Sequence, residues 1–167
     1  MSDDVKVLIM MGSDSDLPVM EEARKVLRGF NIGCRITVAS AHRTPERAIK
    51  LASEARDKGI EVIIAGAGAA AHLAGVLAAK TTLPVIGVPI DASPLNGLDA
   101  LLSTVQMPGG IPVASMAIGK AGAKNAGIFA AEILSIKYPE ITGKLSDYRK
   151  EMAEAVEEKA KKVEASQ

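Results

Sequence analysis

Short runs rich in Val and Ile recur along this chain, at Val5 to Met11, Cys34 to Val38, Val62 to Ala65, Val85 to Val88 and Val113 to Ile118. Runs of this kind, without strict polar alternation, suit strands buried on both faces, and strands joined by helical crossovers lie parallel. The segments between and after them have helix length: Leu17 to Phe30, Pro45 to Lys58, Ala70 to Lys80, Leu98 to Val105 and Ala121 to Leu134. The expected fold class is α/β, a three-layer, doubly wound parallel sheet. At 167 residues and 48% hydrophobic, the chain suffices for one such unit. Residues 1–137 are expected to form it. Residues 138–167 should extend the same domain as a C-terminal helix, because "LSDYRKEMAEAVEEKAKKVEASQ" is dense in Lys, Glu and Ala and carries one narrow apolar stripe.

Composition removes several function classes. Twenty basic residues balance twenty acidic ones, and with no Trp, two Phe and two Tyr there is neither a phosphate-tracking face nor a stacking platform, so no nucleic-acid partner is expected. The single cysteine, Cys34, falls in an apolar-alternating segment and reads as a small core residue. "MSDDVK" has neither the basic nor the apolar region of a secretory leader, which leads to the expectation of a cytoplasmic location. Val62 to Ala79 is 18 residues without a formal charge, near the lower length for crossing a bilayer. Its Gly and Ala content gives weak transfer energy, and Gly66 and Gly68 divide it into a strand and a helix, so no membrane span is expected.

Ligands of open α/β sheets sit outside the carboxyl ends of the strands. That rule selects Gly12 to Asp16, Ser40 to Thr44, Gly66 to Ala70, Pro89 to Gly97 and Met107 to Pro112 as the loops to examine, with convergence on one pocket an expectation. In the first, "GSDSD", a calcium loop is ruled out because Leu17 and Pro18 follow the second Asp and break the alternating ligand register. Asp16 is expected to cap the first helix, with Pro18 harmless in its first turn. Gly12, Ser13 and Ser15 are better explained by close approach of an anion. A carboxylate repels phosphate, so Asp16 is aimed at sugar hydroxyls.

The second loop reads "SAHRTPE". Thr44 and Pro45 start a helix in the ordinary way. Ser40, Ala41, His42 and Arg43 are not needed for that. Arg43 offers a forked cation for phosphate, and His42 offers an imidazole, the side chain whose unperturbed pKa of about 6.5 lets it give and take protons near neutrality. The third loop, "GAGAAAHLAG", places Gly66, Gly68 and Ala71 at G-x-G-x-x-G/A spacing with Asp91 twenty residues beyond Ala71, which keeps a dinucleotide-binding reading open. His72 is expected inside the following helix, buried against the loop. "GKAGAKN" lacks a Ser or Thr after Lys120 and is no phosphate-binding loop of the NTPase kind. Two His and one Cys at these separations make no ligand set, so no metal is expected.

In order along the chain, "MGSDSD", "SAHRTP", "GAGAAAHL", "LPVIGVP", "LNGLDALLS", "QMPGGIPVAS" and "AIGKAGAKNAG" resemble the motifs of the class I N5-carboxyaminoimidazole ribonucleotide mutase family, over about residues 5 to 135. The resemblance implies a flavodoxin-like fold and a homo-octamer with sites near subunit boundaries. It implies a cofactor-free isomerase of de novo purine biosynthesis that moves a carbamate from the exocyclic amine of a small ribonucleotide substrate to carbon 4 of its imidazole. It further implies His42 as general acid-base, Asp16 on ribose hydroxyls, and Ser13, Ser40 and Arg43 around the phosphate. Gly12, Ala41, Gly68, Ala69, Ala70, His72 and Leu73 are implied as further substrate-binding residues.

The chain departs from the family pattern GAGGAAHLPG at Ala69 and Ala74, and Leu17 stands where Trp is common. If position 69 needs positive φ, its methyl costs up to about 1 to 2 kcal/mol. A related branch carboxylates aminoimidazole ribonucleotide directly with carbon dioxide, and the AAHL form of the third loop resembles the mutase branch instead. The direct carboxylase and a non-catalytic dinucleotide-binding module are the alternatives.

Overall fold

The computed structural model describes residues 4–166, so Met1, Ser2, Asp3 and Gln167, which the expected domain limits include, lie outside the described residues. Strands β1 (Val5–Met11), β2 (Gly33–Val38), β3 (Val62–Gly68), β4 (Val85–Ile90) and β5 (Ala114–Ser115) form one sheet in the order β2-β1-β3-β4-β5. Every neighbouring pair is parallel, with Ile9 in register with Ile36 on one side and Ile64 on the other. This is the doubly wound, flavodoxin-like order, and its winding reverses beside β1, which leaves a crevice at the carboxyl ends of β1 and β3.

Six helices connect and extend the strands: α1 (Leu17–Gly29), α2 (Pro45–Ser53), α3 (Leu73–Ala78), α4 (Leu98–Val105), α5 (Gly119–Ser135) and α6 (Pro139–Glu164). Successive strand residues serve opposite faces, as the period of two requires. Val7, Ile9 and Met11 pack with Met20, Leu27, Ala126 and Leu134 of α1 and α5, whereas Leu8 and Met10 pack with Ala48, Ala52, Leu73 and Leu77 of α2 and α3. Both faces of the central strands are therefore dry. α1 and α5 meet through small residues: a Cβ added to Gly127 would stand 2.9 Å from the Ala23 carbonyl oxygen, so the backbones can approach only with glycine there.

Several boundaries differ from the sequence reading. β3 continues through Gly68 rather than stopping at Ala65, because Gly66 is a packing residue: a Cβ there would collide with the Met20 side chain. α3 starts at Leu73 instead of Ala70. Ala69 takes a left-handed φ of 51°, and residues 69–72 form tight turns in which Ala71 N–H donates to Ala69 O and His72 N–H to Ala70 O. α2 ends at Ser53 and gives way to a 3-10 turn at Arg56–Lys58 closed by left-handed Gly59. β5 is only the pair Ala114–Ser115 at the sheet edge, not Val113 to Ile118. Cys34 lies on the other edge strand and is half-buried rather than a deep core residue, with burial pushing its thiol up.

The C-terminal segment is one helix, as its composition suggested. Its first turns dock through buried Ile141 and Leu145, with Tyr148 edge-on to Phe30 at 5.6 Å. Farther along the same stripe Met152, Val156 and Val163 are exposed. Among the described residues no helix is long and apolar enough to cross a membrane, and the uncharged stretch Val62 to Ala79 is divided between β3 and α3.

Candidate active site

Gly12, at the end of β1, is held by its N–H donating to Gly66 O of β3 at 3.1 Å. Ser13 then opens a 3-10 turn at Asp14–Asp16. Its own N–H donates to Asp16 Oδ2 at 3.1 Å, while its hydroxyl accepts from Ser15 N–H at 3.4 Å. This reciprocal pair is a capping box on the turn. Asp16 directly precedes α1 as expected, but its carboxylate turns back to Ser13 instead of accepting from the amides of that helix. Asp16 as a residue is 5% exposed. Burial pushes its carboxyl above the usual range, against the opposing pull of the Ser13 N–H and the nearby Arg43 guanidinium.

The loop after β2 is tied by Ser40, which is buried. Its hydroxyl accepts from His42 N–H at 3.3 Å and Arg43 N–H at 3.1 Å, and its own hydrogen remains available for a ligand. Thr44 does not cap α2 with its hydroxyl, which instead accepts from Ser40 N–H at 3.0 Å and closes the loop. Arg43 reaches across to donate from Nη2 to Gly12 O at 3.0 Å, joining the loops after β1 and β2. Two further loops close the back. Gly68 must lack a side chain, since a Cβ there would stand 2.5 Å from Ala92 Cβ in the loop after β4.

These segments surround a cavity of about 380 Å³ at the carboxyl rim. From the first loop Gly12, Ser13 and Asp16 line it, and from the second Ser40, Ala41, His42 and Arg43. Gly68, Ala69, Ala70 and Leu73 complete it from the third. His72 is not in the lining. It is exposed rather than buried, lies immediately before α3 rather than inside a helix, and its Nδ1 sits 2.8 Å from Nε2 of His42.

Ser15, read from the sequence as part of an anion cradle, also lines the cavity, while sequence reasoning missed Ala67 and Ala92. The strand-end rule reached the loop that holds Ala92, but an alanine offers no chemical signal of its own. Met107 to Pro112 was expected at this rim and is absent from it: the segment precedes β5, so it stands at the amino ends of the strands. There Gly110, Ile111 and Pro112 line a separate cavity of about 800 Å³ with Arg56 and Lys80. That cavity is larger, but it holds no imidazole.

The dinucleotide reading does not survive the geometry. Its fingerprint needs the first glycine in a turn after the strand and a helix starting over the phosphates. Here Gly66 is inside β3, buried beneath Met20, and Ala71 belongs to an irregular turn before α3. Among the described residues no group of three or more His, Cys, Asp or Glu is assembled as a metal cluster.

Residues 6–155 match the family model described as AIR carboxylase. The N5-carboxyaminoimidazole ribonucleotide mutase of Pyrococcus horikoshii is 62% identical over 156 residues, covering 93% of this chain and 87% of that protein. The mutase of Thermotoga maritima is 59% identical, covering 95% of this chain and 92% of that protein, and that of Bacillus subtilis is 54% identical, covering 89% and 91%. A crystal structure of Treponema denticola PurE superposes with a TM-score of 0.84 at 30% identity, covering 93% of this chain and 96% of that one. The five-stranded parallel order, the rim cavity and these likenesses over nearly the whole chain have one common account: the protein belongs to the AIR carboxylase family.

Proposed function

We propose that this protein is an N5-carboxyaminoimidazole ribonucleotide mutase, an isomerase that transfers a carboxyl group within its substrate to give 4-carboxy-5-aminoimidazole ribonucleotide. The observation that carries the reading is the gathering of Asp16 from the loop after β1 and Ser40, His42 and Arg43 from the loop after β2 around one cavity, in a chain 50 to 65% identical to proteins bearing that name. Asp16, anchored by Ser13 N–H, presents a carboxylate to ribose hydroxyls. Arg43 and the hydroxyls of Ser13 and Ser40 face the phosphate.

The chemistry proceeds in two balanced halves. The bond between nitrogen and the carbamate carbon breaks, its electron pair returns to nitrogen, and His42 delivers a proton there as carbon dioxide is released. Carbon 4 of the ring then attacks the trapped carbon dioxide, and His42 removes the proton from that carbon to restore aromaticity. One imidazole serves both steps because the proton it gives to nitrogen is replaced by the one it takes from carbon 4. Small residues at Gly68, Ala69 and Ala70 leave a close-fitting wall for the migrating group, which must not diffuse away between steps.

The proposal includes a homo-octamer in the cytoplasm, with residues 138–167 an extension of the catalytic domain. Assembly is supported by Leu98, Leu102 and Val105, which leave large apolar surfaces exposed at helical spacing along α4, and by exposed Leu95 just before it. Light scattering of the full chain measures the subunit number.

The activity test is ultraviolet detection of the two isomers interconverting with purified protein and neither ATP nor metal added. Turnover that requires aminoimidazole ribonucleotide plus bicarbonate, with no conversion of the carbamate isomer, would replace this reading by the direct carboxylase.

A further inference from the structure

The chain contains two histidines, and the fold brings their rings together: His42 Nε2 and His72 Nδ1 are 2.8 Å apart, with the ring planes at 81°. They come from different loops, thirty residues apart in sequence, and only His42 lines the cavity. A contact this short between imidazole nitrogens needs a hydrogen on one and a lone pair on the other. Two cationic imidazoles would each carry hydrogen there and would repel. The contact therefore holds one hydrogen between the two rings.

We infer that His72 is a positioning residue for the reaction, accepting from His42 Nε2–H through its Nδ1 and so turning His42 Nδ1 into the nitrogen that exchanges protons with substrate. The inference rests on the mutase reading and adds a direction to it. With three ring protons, His42 carries hydrogen on both nitrogens and is the acid that protonates the departing amine. After that donation two protons remain, one between the rings and one on His72 Nε2, and His42 Nδ1 is left as a lone pair. It is then the base for the proton on carbon 4. The proton between the rings stays in place through both halves. Without an acceptor at Nε2, neutral His42 is free to place its hydrogen on Nδ1, where it is no base, and the ring is free to rotate.

The charged groups around the same cavity are Asp16 and Arg43. Arg43 is engaged with Gly12 O and the Asp16 carboxylate with Ser13 N–H, so neither bonds the His42 ring. Burial on the same loop does not hold the ring either, since both histidines are exposed. Among the described residues their mutual contact is the one side-chain hydrogen bond that either ring makes.

The test uses the full chain with His72→Leu, which removes the acceptor, and His72→Gln, whose amide oxygen restores one without titrating. Because only two imidazoles contribute, nitrogen-15 spectra of histidine-labelled protein resolve His42 directly. The wild type should show neutral His42 protonated at Nε2. His72→Leu should move both ring-nitrogen shifts toward each other, lower kcat by about 10-fold or more, hold KM within about threefold, and displace the acid limb of the pH profile. His72→Gln should recover most of kcat and the His42 shifts but not the acid limb. An active wild type whose leucine variant keeps the kcat, the pH profile and the His42 shifts would overturn the positioning role alone. A wild type inactive on both isomers, with the His42 shifts still responding to residue 72, would overturn the mutase reading and leave the pair's geometry standing.

Discussion

The α1–α5 contact and the loop cluster at the carboxyl rim are both made from small residues, with opposite results. Between α1 and α5, Ala23, Ala123, Ala126, Gly127 and Ala130 let two backbones close on each other, and all are buried. At the rim, Ala69 and Ala70 have no helix facing them, so their short side chains leave a cavity. Small residues stabilise where a second element fills the space they vacate; where none does, they make room for a ligand. The helical contact is dry and unstrained. The rim holds a left-handed alanine, a buried carboxylate and two imidazoles in contact. Stability and chemistry are thus assigned to different regions of one domain, a packed face of the sheet and its carboxyl rim.

Substitutions sharpen this contrast, starting with the largest effect. Leu27→Ala, at a fully buried position of α1, should lose about 2 to 5 kcal/mol in urea unfolding while turnover per folded molecule is unchanged. His42→Asn should do the reverse. We expect turnover to fall by at least about 10²-fold, equivalent to about 2.7 kcal/mol of barrier, with the unfolding midpoint unmoved because the side chain is exposed. Near-normal turnover in that variant would remove the division of labour between the two regions.

Asp16 connects them, since it is a buried group at the rim. Its folded carboxyl titrates above the ordinary range, chiefly from burial, so folding favours the protonated form. The favourable contribution is complete below the unfolded pKa of about 3.9 and is lost as pH rises through the higher folded value. Asp16→Asn should therefore raise the melting temperature at pH 7, have little effect near pH 3, and raise KM by weakening the ribose contact. A melting temperature lowered equally at both pH values would show that the carboxylate is structural. The smallest effect should come from Ala69→Gly. Relief of left-handed strain outweighs the added backbone freedom of the unfolded chain, giving a gain of up to about 1 kcal/mol by urea titration. A loss of stability would mean that the methyl is held by packing.

Strand cores were legible because uninterrupted runs such as Val62 to Ala65 can be satisfied only by burial on both faces, wherever the rest of the chain goes. Helix lengths were less so. The start of α3 was placed at Ala70, since alanines favour helix locally, yet Ala69 adopts a left-handed turn that delays the helix to Leu73. At the site, Ser, Asp, His and Arg announced themselves by their chemistry, while Ala67 and Ala92 could not, having none. Asp16 was read as a helix cap from its position, and its carboxylate chose the nearer Ser13 N–H inside its own turn.

By itself the sequence determined a parallel α/β sheet and the loops that hold reactive groups, because hydrophobic runs and polar punctuation are local properties of the chain. Only the tertiary structure decided that His72 meets His42 instead of lying buried in a helix, and that Met107 to Pro112 faces the other rim. Those outcomes depend on the direction of each strand and on the angle at which separate loops approach. Neither is encoded within any one segment, so both are settled when the sheet is assembled.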